Sequence, residues 1–522
     1  MNLLRAVATI GSLTLVSRVA GFVRDMLMAR FVGAGLAADA FLIAWRLPNL
    51  FRALFAEGAF AAAFVPMFNR VMAENEDDGR SAAIRFSENV LSILLPFLII
   101  FTAVMMIAAA PIVRGMTGGF PDGGPGKFAL TVELTRITFP YLMLISLVSM
   151  LGGILNSFGR FWVNAAAPIL LNLCLIVALL FFRGDSPEAT ARTQALAVTA
   201  AGVLQLAWLI WSCRRAGVVL KLRRPTLSPQ VKRLLVIIGP AAIGAGAVQF
   251  NLLISTSLAA RFLQEGAVSY LYYADRLNQL PLGIIGIGVG TAILPTLSRQ
   301  IGGGEPAKAA ATQNRAVELA LLLTVPAAAA LVVSATPLIR ALLQHGAFSD
   351  ADTIGSAAAL SAFALGLPAY VLIKVLTPGF YARSDTRAPV RIALAAMLVN
   401  LVGNLILIWP LGHVGLALST AFAAWVNVAL LYIVLVRRGH FSVDSRLLGR
   451  LWRIAVAAGV MAAVLVALNP LLDLAATRGV LERALSIAAL VGAGALSYAV
   501  VAVLLRAVSL GELRAQFGRR SK

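Results

Sequence analysis

Uncharged apolar runs of membrane-crossing length recur from end to end of this chain, and they restrict its fold more than any other feature. Residues 91–113, 161–182 and 454–470 hold no charged side chain, and each comes near the roughly 20 residues that carry a helix across about 30 Å of hydrocarbon. In hydrocarbon every backbone N–H and C=O must be satisfied within the protein, which leaves helices or closed barrels. A barrel strand alternates apolar and polar residues; these runs do not, so they are read as helices. The whole chain agrees. With 60% hydrophobic and 13% charged residues among 522, and a mean hydropathy of +0.88, it has too little polar surface for a soluble globule of this size. The first 17 residues carry one charge, Arg5, and no small-residue cleavage site follows, so a first spanning helix is expected rather than a cleaved leader.

Charge breaks, Pro/Gly clusters and run lengths together predict an all-α polytopic membrane protein of about fourteen spans. They fall near 8–30, 36–62, 89–112, 133–157, 161–182, 193–212, 234–261, 268–297, 316–338, 354–378, 389–410, 413–436, 453–470 and 484–505. With a cytoplasmic N-terminus, 28 of the 44 Lys and Arg residues fall on the inner side and ten, Lys127 among them, on the outer side. That asymmetry follows the positive-inside rule and puts both termini in the cytoplasm. Six basic residues remain inside spans: Arg18, Arg24, Arg46, Arg52, Arg276 and Lys374. A guanidinium there costs about 2.5–3.5 kcal/mol or more and persists only where it faces water or protein, so these residues suggest an anion-binding interior. Arg18 and Asp25, seven residues apart, lie on nearly one helical stripe, while Arg24 sits about 120° around from Arg18. A bend at Gly21 would bring these charges together. Arg46 reads as a structural residue.

The chain also repeats itself at an offset of about 230 residues. Ala29-Arg30-Phe31-Val32 recurs as Ala260-Arg261-Phe262-Leu263, Trp45-Arg46-Leu47 as Asp275-Arg276-Leu277, and Phe64-Val65-Pro66 as Ile293-Leu294-Pro295. Six spans separate the copies, an even number, so the halves insert in one orientation as two parallel six-helix lobes. The expected organisation is a first lobe over 1–228, a second over 229–440, and two further helices with a basic tail over 441–522. Alternating access through rocking lobes suits such repeats, and Pro48, Pro66, Pro240, Pro281 and Pro295 interrupt spans of both halves.

The motifs then match a family. Ser17-Arg18-Val19-Ala20-Gly21-Phe22-Val23-Arg24-Asp25, Asp39-Ala40-Phe41, Arg46-Leu47-Pro48-Asn49 with Arg52, and Glu57-Gly58-Ala59 resemble the start of the MurJ/MviN lipid II flippases. Tyr272-Tyr273-Ala274-Asp275-Arg276-Leu277 and Pro378-Gly379-Phe380-Tyr381-Ala382-Arg383 fit the same family, and the likeness covers essentially the whole chain. The resemblance implies the multidrug/oligosaccharidyl-lipid/polysaccharide exporter fold. It also implies export of lipid II, the undecaprenyl-pyrophosphate-linked peptidoglycan precursor, across the bacterial inner membrane, with roles in cell wall biogenesis and cell shape. By the same resemblance Arg18, Arg24, Arg52 and Arg276 bind substrate, with Asp39 and Asp275 as acidic partners or gating residues; Asp25, beside Arg24 on the first helix, joins that acidic set, and cell-wall synthesis proteins are expected partners. Gln279 stands where some members carry a further acid, which puts gating by a carboxylate there in doubt. Planar guanidinium groups suit such a substrate, because they hold pyrophosphate and carboxylate oxygens with paired hydrogen bonds.

Competing readings carry less. Asn251, Asn400, Asn404 and Thr420 are polar groups in apolar spans, read as interhelical hydrogen bonds or as a candidate cation site. Gly286-Ile287-Gly288-Val289-Gly290 lacks the strand and turn of a nucleotide loop and reads as helix packing. His345, His413 and His440 are scattered, and Asp77-Asp78 reads as a solvated turn, so no catalytic residue, metal or cofactor is expected. The net charge of +21 is spread over inner loops without aromatic interleaving, which fits anionic membrane lipid and not nucleic acid. Cys174 and Cys213 lie about 18 Å apart in depth at 1.5 Å per residue, too far for a disulfide. Within transport, the alternatives are a flippase for another polyprenyl-pyrophosphate-linked oligosaccharide and a multidrug exporter, the latter disfavoured because an arginine-lined interior repels cations.

Overall fold

The computed structural model describes residues 3–52, 59–74, 78–121, 124–476 and 479–507; Glu57, Gly58 and Asp77 of the motifs above lie outside them. Those residues form eighteen α-helices: α1 (Leu3–Val32), α2 (Leu36–Phe51), α3 (Ala59–Glu74), α4 (Gly79–Ile107), α5 (Ala109–Thr117), α6 (Gly124–Thr138), α7 (Pro140–Ser157), α8 (Phe161–Phe181), α9 (Pro187–Arg215), α10 (Pro229–Phe262), α11 (Ala267–Gly302), α12 (Pro306–Val333), α13 (Ala335–Leu343), α14 (Asp350–Ala364), α15 (Leu367–Tyr381), α16 (Arg387–Arg437), α17 (Ser445–Ala476) and α18 (Val480–Leu504).

Nine helical segments among the described residues are long and apolar enough to cross a membrane. One of them, α16, is 51 residues long and folds back at Gly412, whose φ of 56° and ψ of −133° suit only glycine. It therefore supplies the two spans expected at 389–410 and 413–436. The four remaining predicted spans fall on α1, on α2 with α3, on α10 and on α11, and three of these hold the intramembrane arginines. Several predicted spans are broken in two: α4 is followed by the short α5, α6 by α7, α12 by α13 and α14 by α15. Outward-facing Phe97, Ile100, Ile107, Trp409 and Leu504 are exposed, as suits side chains whose solvent is lipid. The chain is a multi-pass membrane protein.

Two compact units divide the described helices. The first comprises residues 1–269 with 345–348, the second 270–344 with 349–522. In the first, α1 packs along α8, α8 along α9, α2 on α6, and α10 on α3 and α5. Helix α10 thus packs with the N-terminal helices, so the division by contacts falls at 269 whereas the division by repeat falls at 228. The extended segment 218–228 is strapped to α4: buried Glu88 accepts from Lys221 N at 3.0 Å and pairs with the Arg223 guanidinium, and Ser92 Oγ accepts from Arg223 N at 2.9 Å. In the second unit α17 packs on α18 and α12, and α12 on α15. Buried Glu318 on α12 pairs with Arg315, Arg446 and Arg450, and Arg315 also reaches Asp444. Cys174 and Cys213 are both free thiols.

Candidate functional site

Helix α1 carries the N-terminal charged motif. It runs unbroken through Gly21, where a Cβ would lie 3.5 Å from the Asn172 amide. Gly21 thus faces α8. Arg24 donates Nε–H and Nη2–H to Asp25 Oδ1 at 3.0 and 2.6 Å, and Nη1–H to Asn172 Oδ1 at 3.1 Å. Asn172 in turn donates to Ser17 O at 3.0 Å. Asp25 is buried, so its charge is offset by the neighbouring guanidinium with α8 closing the network. Arg18 differs. It is exposed among Leu15, Val16 and Val19, and no ion pair or hydrogen bond to its side chain occurs among the described residues.

Arg52 sits at the C-terminal cap of α2, the end where the helix dipole favours a cation, and donates Nε–H to Asn49 Oδ1 at 3.0 Å. Arg46, six residues earlier, donates to Thr256 Oγ1 at 3.1 and 2.7 Å, the kind of contact a structural arginine makes. Arg276, in the second unit, is half-buried with its guanidinium 4.9 Å from the Tyr272 ring. Its neighbour Asp275 accepts from Gln279 Nε2 at 2.5 Å. The residue that departs from the acidic pattern therefore acts as a donor to the acid one turn before it. Lys374 is exposed. Its Nζ lies 2.9 Å from where a Gly286 Cβ would sit, so Gly286 makes room for a lysine stem.

Asp39 is the most enclosed of the singled-out acids, 1% exposed. Its carboxylate pairs with Lys127 Nζ at 2.8 Å and accepts from Gly266 N at 2.8 Å, Ser269 N at 2.9 Å and Ser269 Oγ at 2.6 Å. It caps the N-terminus of α11, where backbone N–H groups and the helix dipole both favour an anion. Lys127, counted above among the outer-loop basics, is instead buried on α6, 4.9 Å from the Phe120 ring centroid. The pairing with Asp39, 88 positions away, pulls it inward. Sequence reasoning missed this pair, and it missed Asn172 and Thr256, because lone polar residues in apolar runs give no sign of the partner they meet.

Asn400, Asn404 and Thr420 do come together. Asn404 Nδ2 donates to Asn400 Oδ1 at 3.0 Å, Asn400 Nδ2 to Thr420 Oγ1 at 3.2 Å, and Ser419 Oγ to Asn400 O at 2.8 Å. They join the two halves of α16. Asn251 belongs to α10 of the first unit. No group of three or more His, Cys, Asp or Glu placed to hold a metal occurs among the described residues.

These helices share the fold of a solved flippase and of solved multidrug transporters. The chain superposes on an inward closed conformation of lipid II flippase MurJ with a TM-score of 0.77 at 22% identity, covering 95% of this chain and 98% of that one. An inward-facing multidrug resistance MATE family transporter of the MOP superfamily gives 0.66 at 16% identity over 83% and 97%. Sequence narrows the class. The family model described as lipid II flippase MurJ matches residues 28–481. A probable lipid II flippase MurJ of Rhizobium meliloti (strain 1021) is 45% identical over 98% of this chain and 96% of its own, and one of Vibrio cholerae serotype O1 is 36% identical over 98% of each. The chain belongs to the lipid II flippase MurJ family.

Proposed function

We propose that this protein moves lipid II, an undecaprenyl-pyrophosphate-linked disaccharide peptide, from the inner to the outer leaflet of the bacterial inner membrane by alternating access. Both termini are then cytoplasmic. The lobes follow the repeat, 1–228 and 229–440, with 441–522 as an appended pair of helices. Arg18, Arg24, Arg52 and Arg276 bind the pyrophosphate and peptide carboxylates; Asp25 and Asp275 set the charge around them, and Asp39 fixes the start of α11. Proteins of cell-wall synthesis are the partners such a carrier would serve.

The observation that carries this reading is Arg18. It is an exposed guanidinium on an apolar helix with no counter-ion among the described residues, in a chain that belongs to a family named for lipid II. A cation so placed is costly unless an anion or water completes it, and the fork geometry of arginine selects oxyanions. The test is depletion of the protein followed by identification of the lipid-linked sugar that accumulates on the inner leaflet. Accumulated lipid II supports the proposal. A different polyprenyl-pyrophosphate oligosaccharide, with lipid II unchanged, would redirect it to that substrate.

A further inference from the structure

Away from these arginines, the first unit holds a crevice of about 310 Å³ between α5 and α10, at the lower end of the roughly 300–1,000 Å³ of small-molecule sites. Ile112, Gly115 and Met116 of α5 face Leu253, Ser257 and Leu258 of α10. The spacings i, i+3, i+4 on one helix and i, i+4, i+5 on the other make each lining a single helix face. The floor is apolar apart from Ser257. At the rim stands Arg261, exposed, its guanidinium 5.9 Å from the Phe262 ring and about 12 Å along the axis from Leu253 at 1.5 Å per residue. No carboxylate pairs with Arg261 among the described residues. Glu265, the nearest acid in sequence, accepts from Leu36 N at 2.6 Å.

We infer that this crevice is a binding site for one anionic diacyl phospholipid, an acyl chain lying between α5 and α10 and the phosphate on Arg261. A slot that is apolar along its length and cationic at one end has the polarity of such a lipid. Under the positive-inside reading, Arg261 lies at the outer surface, which places the lipid in the outer leaflet. The surface carries the means of its own test, because a Cβ on Gly115 would meet no atom within 4 Å. A side chain there starts in open space on the face that lines the slot, and it replaces glycine in a helix with a better helix former.

Native mass spectrometry of the purified full chain titrated with phosphatidylglycerol, phosphatidylethanolamine or undecaprenyl phosphate provides the measurement. One phosphatidylglycerol should be retained in preference to phosphatidylethanolamine. Arg261→Ala should lower retention of phosphatidylglycerol by about tenfold and that of phosphatidylethanolamine, whose ammonium already offsets its phosphate, by less, while Gly115→Trp should remove bound lipid of both kinds. Gly115→Ala should behave as wild type, and an unaltered melting temperature establishes that the Trp variant is folded. Should the Trp variant unfold, the Arg261→Ala difference between the two lipids decides alone. Unchanged phosphatidylglycerol retention in folded variants overturns the inference. So does a loss confined to undecaprenyl phosphate, which would assign the slot to a polyprenyl tail.

Discussion

A guanidinium inside a membrane-crossing helix needs a partner or a polar surrounding, and Arg18 and Arg24 answer that need differently. Arg24 and Asp25 form one neutral unit closed by Asn172. Removing the arginine alone leaves a buried carboxylate, so Arg24→Ala should cost about 3–5 kcal/mol of stability, as breaking a buried ion pair does. The double variant Arg24→Ala/Asp25→Asn should recover most of that in thermal unfolding yet remain inactive in complementation. Full activity of the double variant would take Arg24 out of the substrate-binding set. Arg18 lacks such a partner among the described residues, so Arg18→Ala should change stability by no more than about 0.5 kcal/mol while abolishing function. Arg18→Lys should rescue poorly, because an ammonium lacks the two-pronged geometry.

At the scale of elements, the reversal within α16 rests on one residue. Gly412 adopts a conformation that side chains rarely enter, and Gly412→Ala should destabilise by about 1–3 kcal/mol, read as a lowered melting temperature in detergent. The sequence made this break legible, since an apolar stretch over 389–436 is too long for one crossing and Pro410 and Gly412 punctuate it. Asp39–Lys127 was not legible: each residue looks ordinary in its own segment, and only tertiary packing brings them together. The same holds for Glu88 with Arg223 and Glu318 with Arg450. Between α15 and α16, Asp385 accepts from Ala388 N and pairs with Arg438 at 2.5 Å, and these contacts hold its carboxyl below the usual carboxylate range. A depressed carboxylate stabilises the fold above its unfolded value, near pH 4, and that contribution is lost as pH falls through the lower folded value. Asp385→Asn should therefore lower stability at neutral pH and flatten its decline below about pH 4 in an acid melt.

For the whole molecule, run lengths made most of the spans legible, whereas the offset of about 230 residues divides the chain at 228 and the contacts divide it at 269. Energy coupling is a property of the molecule as a unit. Carrying two negative charges from a negative interior to a positive exterior is favoured by about 2.3 kcal/mol per charge per 100 mV. Collapsing the potential across sealed vesicles should therefore slow transport, whereas removal of ATP at a clamped potential should not. Dependence on a sodium or proton gradient instead would favour ion coupling through polar groups of the spans, Asn251 in the first unit or Asn400, Asn404 and Thr420 in the second. The most direct test of the central claim uses the purified chain in sealed proteoliposomes holding lipid II in the leaflet that the substrate leaves. Appearance of lipid II in the opposite leaflet is read with a probe that cannot cross. Wild-type protein should accelerate this appearance, and folded Arg18→Ala and Arg276→Ala variants should not. Rates with wild-type protein equal to those of protein-free vesicles, or undiminished in both variants, would contradict it.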